Sequence, residues 1–296
     1  MPARSTTGLL SFRMPWHALI DVPALRALAG RSDITLVDCR FDLHNPPWGR
    51  AEYLRAHIPG AGYADLDVDL SGARTGVNGR HPLPAPEDLR ETLGRLGIDS
   101  SRQVIAYDQD SGMYASRLWW LLRWMGHEAV AVLDGGFAAW CAHGGATRAG
   151  PEQVEPRQFT GEPHAAHIAT IDDVMALVSA GGRGRLLDAR APERFRGEVE
   201  PLDRVAGHIP GAVNHFFRTS LDDGGRFLAP AALRERLAAA LRDAPASDVI
   251  AYCGSGVTAC HTLLAMTHAG LTGARLYPGS WSEWSSDPQR PVATGS

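Results

Sequence analysis

The residues of this chain best suited to chemistry form a short loop around one cysteine. Residues 249–261 read VIAYCGSGVTACH, an apolar strand that delivers Cys253 into a glycine-containing loop ahead of a helix. Gly254 and Gly256 permit backbone conformations that turn N–H groups inward. Arrays of inward N–H groups beside a helix start stabilise anions. The pattern is therefore typical of a site that holds a thiolate, or a negatively charged group attached to sulfur.

An aspartate occupies the equivalent place in an earlier copy of the strand. Residues 104–108 read VIAYD, so Asp108 stands where Cys253 stands in the later segment. A buried cysteine is often only a small apolar residue. An ionisable aspartate would be a poor equivalent of a packing residue, so the pair favours a functional role for Cys253.

The loop differs from that of a cysteine-dependent phosphatase. Such an enzyme needs an arginine six positions after the cysteine to hold the phosphoryl oxygens. That position here is Ala259, and the next arginine is Arg275. The sequence therefore argues against phosphate-monoester hydrolysis.

The cysteine loop belongs to the second half of a duplicated chain. Four blocks recur in the same order and at a nearly constant offset, which predicts two tandem domains and not a short-period solenoid. The blocks of the first copy are 34–40, 57–61, 104–107 and 133–140, and those of the second are 186–190, 208–212, 249–252 and 276–284.

Each copy alternates short apolar strands with helical patterns. We predict strands at 104–107, 129–133 and 249–252, and helices at 86–96, 113–124, 230–241 and 258–269. This alternation predicts an α/β fold, in which each domain has a mostly parallel central sheet flanked by helices. Function collects at the carboxyl ends of such strands, where Cys253 and Asp108 are expected.

The positions of glycine, proline and helix-start residues suggest the boundaries of the domains. We assign 1–14 to an N-terminal extension, 15–145 to the first domain, 146–168 to a linker and 169–296 to the second domain. Glycine and proline are dense between the copies, as in a linker, and the acidic residues after Thr170 predict a helix start. Met14 is an alternative start of the chain.

The composition is that of an ordinary globular protein. The 296 residues are 44% hydrophobic and 21% charged, with a formal net charge of -4. We therefore expect no nucleic-acid partner and no membrane association. The four cysteines fit no standard zinc spacing and no disulfide framework, and no cofactor motif is present. We predict a cytoplasmic protein without metal or cofactor.

These motifs resemble those of the rhodanese superfamily, and specifically its two-domain sulfurtransferases. The resemblance runs from about Met14 onward and rests on the Cys253 loop, the two HIPGA segments, the Asp-x-Arg strand ends and the PGSW stretch at 278–281. It implies two tandem rhodanese-like domains, of which the N-terminal one is inactive and the C-terminal one catalytic. It also implies that Cys253 takes sulfur from a small anionic donor as a persulfide. A thiol or cyanide then accepts that sulfur, and a thioredoxin-like protein is one such thiol.

The resemblance further implies which residues form the site. Backbone N–H groups of the loop would hold the charge on sulfur, from Gly254, Gly256, Val257 and Thr258. Thiosulfate enzymes commonly carry basic residues after the cysteine, whereas this loop resembles that of the 3-mercaptopyruvate sulfurtransferases. In those enzymes the loop serine, Ser255 here, is grouped with a histidine and an aspartate that correspond to His81 and Asp65. Such a relay suits a thiol donor, whose proton must be moved.

A carboxylate donor also needs a cation, and the resemblance places Arg194 in that role. Arg204 is the nearest candidate for a second arginine, in a segment about two residues shorter than in those relatives, and Arg196 is a third candidate. Thiosulfate therefore stays open as an alternative donor. A non-catalytic rhodanese-type binding or sulfur-relay module is the alternative of a different class.

Overall fold

The computed structural model describes residues 16–28, 30–181, 186–242 and 244–295. The predicted extension 1–14 and the alternative start at Met14 lie outside these residues.

The N-terminal half of the chain forms one parallel sheet with the strand order β1-β5-β4-β2-β3. Its elements are β1 (Leu19–Ile20), α1 (Val22–Ala27), β2 (Ile34–Asp38), α2 (Pro47–Arg55), β3 (Gly62–Tyr63), α3 (Pro86–Arg95), β4 (Gln103–Tyr107), α4 (Ala115–Trp124), β5 (Val130–Leu133) and α5 (Gly136–Ala142).

The C-terminal half repeats this plan with a parallel sheet in the order β7-β6-β8-β9. Its elements are α6 (Ile171–Ser179), β6 (Leu186–Asp188), α7 (Pro192–Phe195), β7 (Val213–Asn214), α8 (Pro230–Leu241), β8 (Ile250–Tyr252), α9 (Thr258–His268), β9 (Arg275–Leu276) and α10 (Ser280–Trp284). Short 3₁₀ turns lie at Ala165–His167, Phe217–Ser220 and Ala246–Asp248. The predicted α/β architecture is confirmed, with one sheet in each predicted domain range. The exact domain limits stay a prediction.

Local sequence signals account for the main helices. Prolines open α3 and α8, where the missing N–H costs no hydrogen bond. The predicted start of α6 is confirmed by a capping box, in which Thr170 and Asp173 bond each other's backbone N–H. The predicted helices thus begin within two residues of their expected positions.

Strand register brings charged side chains to one edge of each sheet. Asp38 lies opposite Tyr107 between β2 and β4, and Asp188 lies opposite Tyr252 between β6 and β8. The arginine two residues after each aspartate folds back onto it, at 2.6 Å in both domains. These buried ion pairs lie at the ends of β2 and β6, beside the ends of β4 and β8 from which the Asp108 and Cys253 loops emerge.

The two halves share an apolar core, in which α4 packs against α9. Both helices follow the loops of interest, because α4 comes after Asp108 and α9 after Cys253. The His261 Nε2 of α9 lies 3.0 Å from the Ser111 carbonyl oxygen in the Asp108 loop. The packing therefore places the Asp108 loop and the cysteine loop at a common interface.

Across the described residues, we find no helix with the length and apolar character that a membrane span requires.

Candidate active site

The cysteine loop holds its sulfur at the carboxyl end of β8. Cys253 is only 2% exposed, and its Sγ accepts a hydrogen bond from the Gly256 N–H at 3.1 Å. Gly256 has φ of 76°, and a Cβ there would lie 2.5 Å from the Pro278 oxygen. Only glycine therefore allows this N–H to face the sulfur. Val257 precedes α9 and Thr258 opens it, with no side-chain cap.

Residues at the end of the PGSW stretch, and the serine that follows it, form hydrogen bonds with the cysteine loop. Ser280 Oγ accepts the N–H of Cys253 at 3.1 Å, and the Trp281 N–H donates to the Cys253 carbonyl at 3.0 Å. The Ser282 N–H donates to the Gly254 carbonyl at 2.9 Å. Hydrogen bonds thereby hold both the N–H and the carbonyl group of Cys253.

A serine, a histidine and an aspartate form a chain of short polar contacts across the two domains, in which the serine and the histidine share a hydrogen bond. Ser255 Oγ lies 2.7 Å from His81 Nδ1, and His81 Nε2 lies 3.2 Å from Asp67 Oδ1. Asp67 Oδ1 also pairs with Arg74 at 2.6 Å. The C-terminal domain supplies the serine and the N-terminal domain supplies the other two residues, so the chain exists only when the domains are docked.

Burial keeps the imidazole of His81 unprotonated. Burial, followed by the charges of Arg117 and other arginines, lowers the pKa of His81 to about 3. The imidazole is therefore neutral at neutral pH. With the ring proton on Nε2, Nδ1 is free to accept a hydrogen bond from the Ser255 hydroxyl.

Asp65 does not occupy the relay position expected for it. Its Oδ1 accepts the N–H groups of Asp67 and Val68 at 2.8 and 3.2 Å, which closes a local turn. Burial raises the pKa of Asp65. The carboxylate that meets His81 is Asp67, because the turn around Asp65 aims the side chain two residues later at the imidazole.

Two arginines lie over the cysteine loop. A Cβ at Gly254 would lie 2.8 Å from Arg80 Nη2 and 3.5 Å from Arg194 Nη2, so both guanidinium groups adjoin the residue after Cys253. Arg194 comes from α7, as expected, and Arg80 directly precedes His81 in the N-terminal domain. The pair can bind a carboxylate or sulfonate beside the sulfur.

The other candidate arginines are not found at the loop. Arg204 is exposed and makes no ion pair or hydrogen bond within the described ranges. Arg196 pairs with Glu198 at 2.7 Å on an exposed surface. The second arginine at the loop is therefore Arg80, and not the predicted Arg204, because domain docking supplies it from the other half of the chain.

A fully buried arginine joins the two domains behind the site. Arg117 of α4 donates from Nη1 to the Gly256 carbonyl at 3.2 Å and from Nη2 to the His81 carbonyl at 3.0 Å. It also donates from Nε to the Leu70 carbonyl at 3.3 Å. Burial lowers the pKa of Arg117. No carboxylate of the described residues pairs with it, so its donors serve the backbone of the cysteine loop and of the relay segment.

Comparison with known proteins places this geometry in a family. The model of the rhodanese-like domain matches residues 21–143 and again residues 170–287. The chain belongs to the rhodanese-like family. Both copies of the duplicated chain are thus rhodanese-like domains.

Relatives of this rhodanese-like protein are named as sulfurtransferases. A "probable 3-mercaptopyruvate sulfurtransferase" of Pseudomonas aeruginosa is 49% identical over 94% of this chain and 98% of that protein. A thiosulfate sulfurtransferase of Bos taurus is 35% identical, with 79% of each chain covered. The solved structure of a 3-mercaptopyruvate sulfurtransferase from Leishmania major has a TM-score of 0.81 at 29% identity, over 95% of this chain and 77% of that one.

The prediction from the rhodanese-like sequence missed three residues at the site. Asp67 lies two residues from the predicted Asp65, and Arg80 adjoins the predicted His81, so both lie beside residues that the resemblance had named. Arg117 stands on the otherwise apolar face of α4, which is an unusual place for a charge. A buried charge in an apolar helix is the signal that would have found it.

Proposed function

We propose that this protein transfers sulfane sulfur from 3-mercaptopyruvate, through a persulfide on Cys253, to a thiol or cyanide acceptor. The observation that carries the proposal is the Ser255–His81–Asp67 chain beside the cysteine loop. The names of the relatives from Pseudomonas aeruginosa and Leishmania major support the same donor.

The first step moves one sulfur and one proton. The Cys253 thiolate attacks the donor sulfur, and the carbon–sulfur bond breaks as the new sulfur–sulfur bond forms. The donor thiol loses its proton and the departing enolate carbon gains one, so pyruvate leaves and a persulfide anion stays. Ser255 and His81 provide the path for this proton. The Gly256 N–H stabilises the charge on sulfur.

The second step returns the enzyme to its starting state. An acceptor thiolate or cyanide attacks the outer sulfur, the sulfur–sulfur bond breaks, and Cys253 leaves as thiolate. With cyanide the product is thiocyanate. Two separate half-reactions through a covalent intermediate predict ping-pong kinetics. The natural thiol acceptor in this proposal is of the thioredoxin-like class.

Thiosulfate is the second candidate donor. The arginine pair at Gly254 suits a sulfonate as well as a carboxylate, and the bovine relative is named for thiosulfate. Transfer from thiosulfate releases sulfite and moves no proton. The relay would then have no task, which is why we place mercaptopyruvate first.

The two donors can be separated with one substitution. We expect Ser255→Ala to lower kcat/KM for 3-mercaptopyruvate by about a hundredfold, because general acid–base help is lost. The same variant should keep kcat/KM for thiosulfate within about threefold, since that reaction needs no proton relay. Steady-state assays with both donors measure this. Equal losses with both donors, or a wild-type preference for thiosulfate, would refute the donor assignment.

The non-catalytic alternative is tested by mass spectrometry of the intact protein. Donor treatment should add the mass of one sulfur to the wild type and nothing to Cys253→Ser. No adduct in the wild type would favour a binding module.

The four cysteines are all free thiols, which suits a reducing compartment, and we propose that the protein is located in the cytoplasm.

A further inference from the structure

A single carboxylate links the two arginines that lie over the cysteine loop. Asp203 Oδ1 accepts a hydrogen bond from Arg80 Nη1, and Asp203 Oδ2 lies 3.5 Å from Arg194 Nη2. Asp203 therefore connects a cation of the N-terminal domain with one of the C-terminal domain. Both cations adjoin Gly254, the residue next to the nucleophile.

Asp203 is buried, yet it is incompletely bonded. Its side chain is 6% exposed, and Oδ2 accepts no hydrogen bond from any residue that the structure describes. A buried carboxylate oxygen without a hydrogen bond is unfavourable for folding alone. Its position between two guanidinium groups is that of a ligand carboxylate, which suggests a role in the binding of anions.

A second carboxylate completes the charge balance. Glu200 holds Arg194 at 2.5 Å and also reaches Arg190 at 3.3 Å, behind the site. The four side chains Arg80, Arg194, Glu200 and Asp203 together carry no net formal charge. An anionic donor thus meets two arginines that are already neutralised.

We infer that Asp203 is a specificity-determining residue, a carboxylate of the protein that competes with the donor for Arg80 and Arg194 and disfavours dianions relative to monoanions. The inference rests on the proposed function, because it takes the anionic sulfur donor to bind at this arginine pair. Repulsion between Asp203 and a donor grows in proportion to the charge on the donor. Thiosulfate, a dianion, is therefore penalised more than 3-mercaptopyruvate, a monoanion.

Binding of inert anions tests this without turnover. The full chain with Cys253→Ser is titrated calorimetrically with pyruvate as the monoanion and sulfate as the dianion, with and without Asp203→Asn. The matched control is Asp223→Asn, which removes the same charge at an exposed position. Thermal melting of each variant shows whether it is folded.

We expect Asp203→Asn to tighten the binding of both anions, with a larger change in the dissociation constant of the dianion. If Asp203→Asn tightens pyruvate binding by about fourfold, sulfate binding should tighten by about sixteenfold, because doubling the charge squares the factor. Asp203→Ser should act in the same direction, and Asp223→Asn should change neither dissociation constant by more than about 1.5-fold. Unchanged or weaker anion binding in both Asp203 variants would overturn the inference, as would equal factors for the two anions.

Turnover gives a second and separate measure. With Cys253 intact, Asp203→Asn should lower KM for thiosulfate more than KM for 3-mercaptopyruvate, so the ratio of the two kcat/KM values shifts towards thiosulfate by about fourfold. Failure of the proposed function would be recognised differently, as a wild type that forms no persulfide. The anion titrations would still decide the role of Asp203 in that case.

Discussion

Asp108 and Cys253 end equivalent strands, but the loops that follow them treat negative charge differently. Four backbone N–H groups donate to the Asp108 carboxylate, from Asp110, Gly112, Tyr114 and Ala115, at 2.8 to 3.2 Å. Within the described residues, the Cys253 sulfur accepts one such bond, from Gly256. The N-terminal loop is also longer, since α4 begins seven residues after Asp108 and α9 begins five residues after Cys253.

The difference shows how one fold serves two purposes. The N-terminal loop binds a carboxylate of its own, so its N–H groups are occupied permanently. In the proposed function, the sulfur held by the C-terminal loop gains and loses a second sulfur atom in each cycle. The N-terminal domain contributes His81, Asp67 and Arg80 to the site around the cysteine loop of the C-terminal domain.

The largest expected effect comes from moving the thiol between the two loops. A variant with Cys253→Ser and Asp108→Cys should lose at least about a thousandfold in kcat with either donor. The introduced thiol would have no serine–histidine relay and no arginine pair beside it. Turnover and intact mass after donor treatment measure this. Cys141→Ser, at an exposed position, is the control that should stay fully active. A sulfur adduct on the double variant would show that the loops are equivalent.

Removal of the Asp108 charge tests what its loop is for. Asp108→Ala leaves four N–H groups, three of them buried, without their acceptor, and we expect the free energy of unfolding to fall by about 3 kcal/mol. Urea denaturation at pH 7 measures the change. Asp223→Asn should stay within about 0.5 kcal/mol of the wild type. A stable Asp108→Ala protein would mean that the carboxylate does not hold the loop together.

The neighbouring aspartates of the relay segment give a smaller, selective effect. Asp67→Asn should lower kcat/KM for 3-mercaptopyruvate by about tenfold, because the carboxylate no longer orients His81. Asp65→Asn disturbs a turn and should change this value by less than about threefold. The reverse ranking in donor assays would restore Asp65 as the relay carboxylate.

The smallest effect concerns pH. Since the pKa of His81 is lowered from 6.5 to about 3, the imidazole stays neutral between pH 5 and pH 7.5. The advantage of the wild type over Ser255→Ala should therefore change by less than about twofold across this range. It should be lost only as the pH falls towards the lowered value. The ratio of the two proteins cancels any pH dependence that both share. A ratio that collapses near pH 6.5 would indicate an ordinary histidine.

Much of the fold could be predicted because its signals are local. The apolar run before Cys253 and the prolines at 86 and 230 mark a strand and two helices in their own sequence. The duplication then gave the tandem architecture. Within the site, Ser255, His81 and Arg194 came from motif resemblance, and the structure places all three beside the cysteine loop.

The remaining site residues depend on contacts between the domains. The choice between Asp65 and Asp67 is made by a turn whose hydrogen bonds the spacing does not reveal. Arg80 reaches Gly254 only after the domains dock, so a search along the C-terminal segment led to Arg204 instead. Asp203 was not predicted as a site residue, because its proposed role depends on contacts with Arg80 and Arg194, which only the folded structure brings together.

Arg117 has a consequence for how substrates come and go. Its guanidinium is bonded to Leu70 and His81 of one domain and to Gly256 of the other, all through backbone carbonyls. Separating the domains would break these bonds and would also expose the apolar contact between α4 and α9. Separation of the domains is therefore an unfavourable way to expose the Cys253 sulfur. If the domains stay docked, a donor in the proposed reaction approaches Cys253 past Arg80 and Arg194, the two side chains that adjoin Gly254.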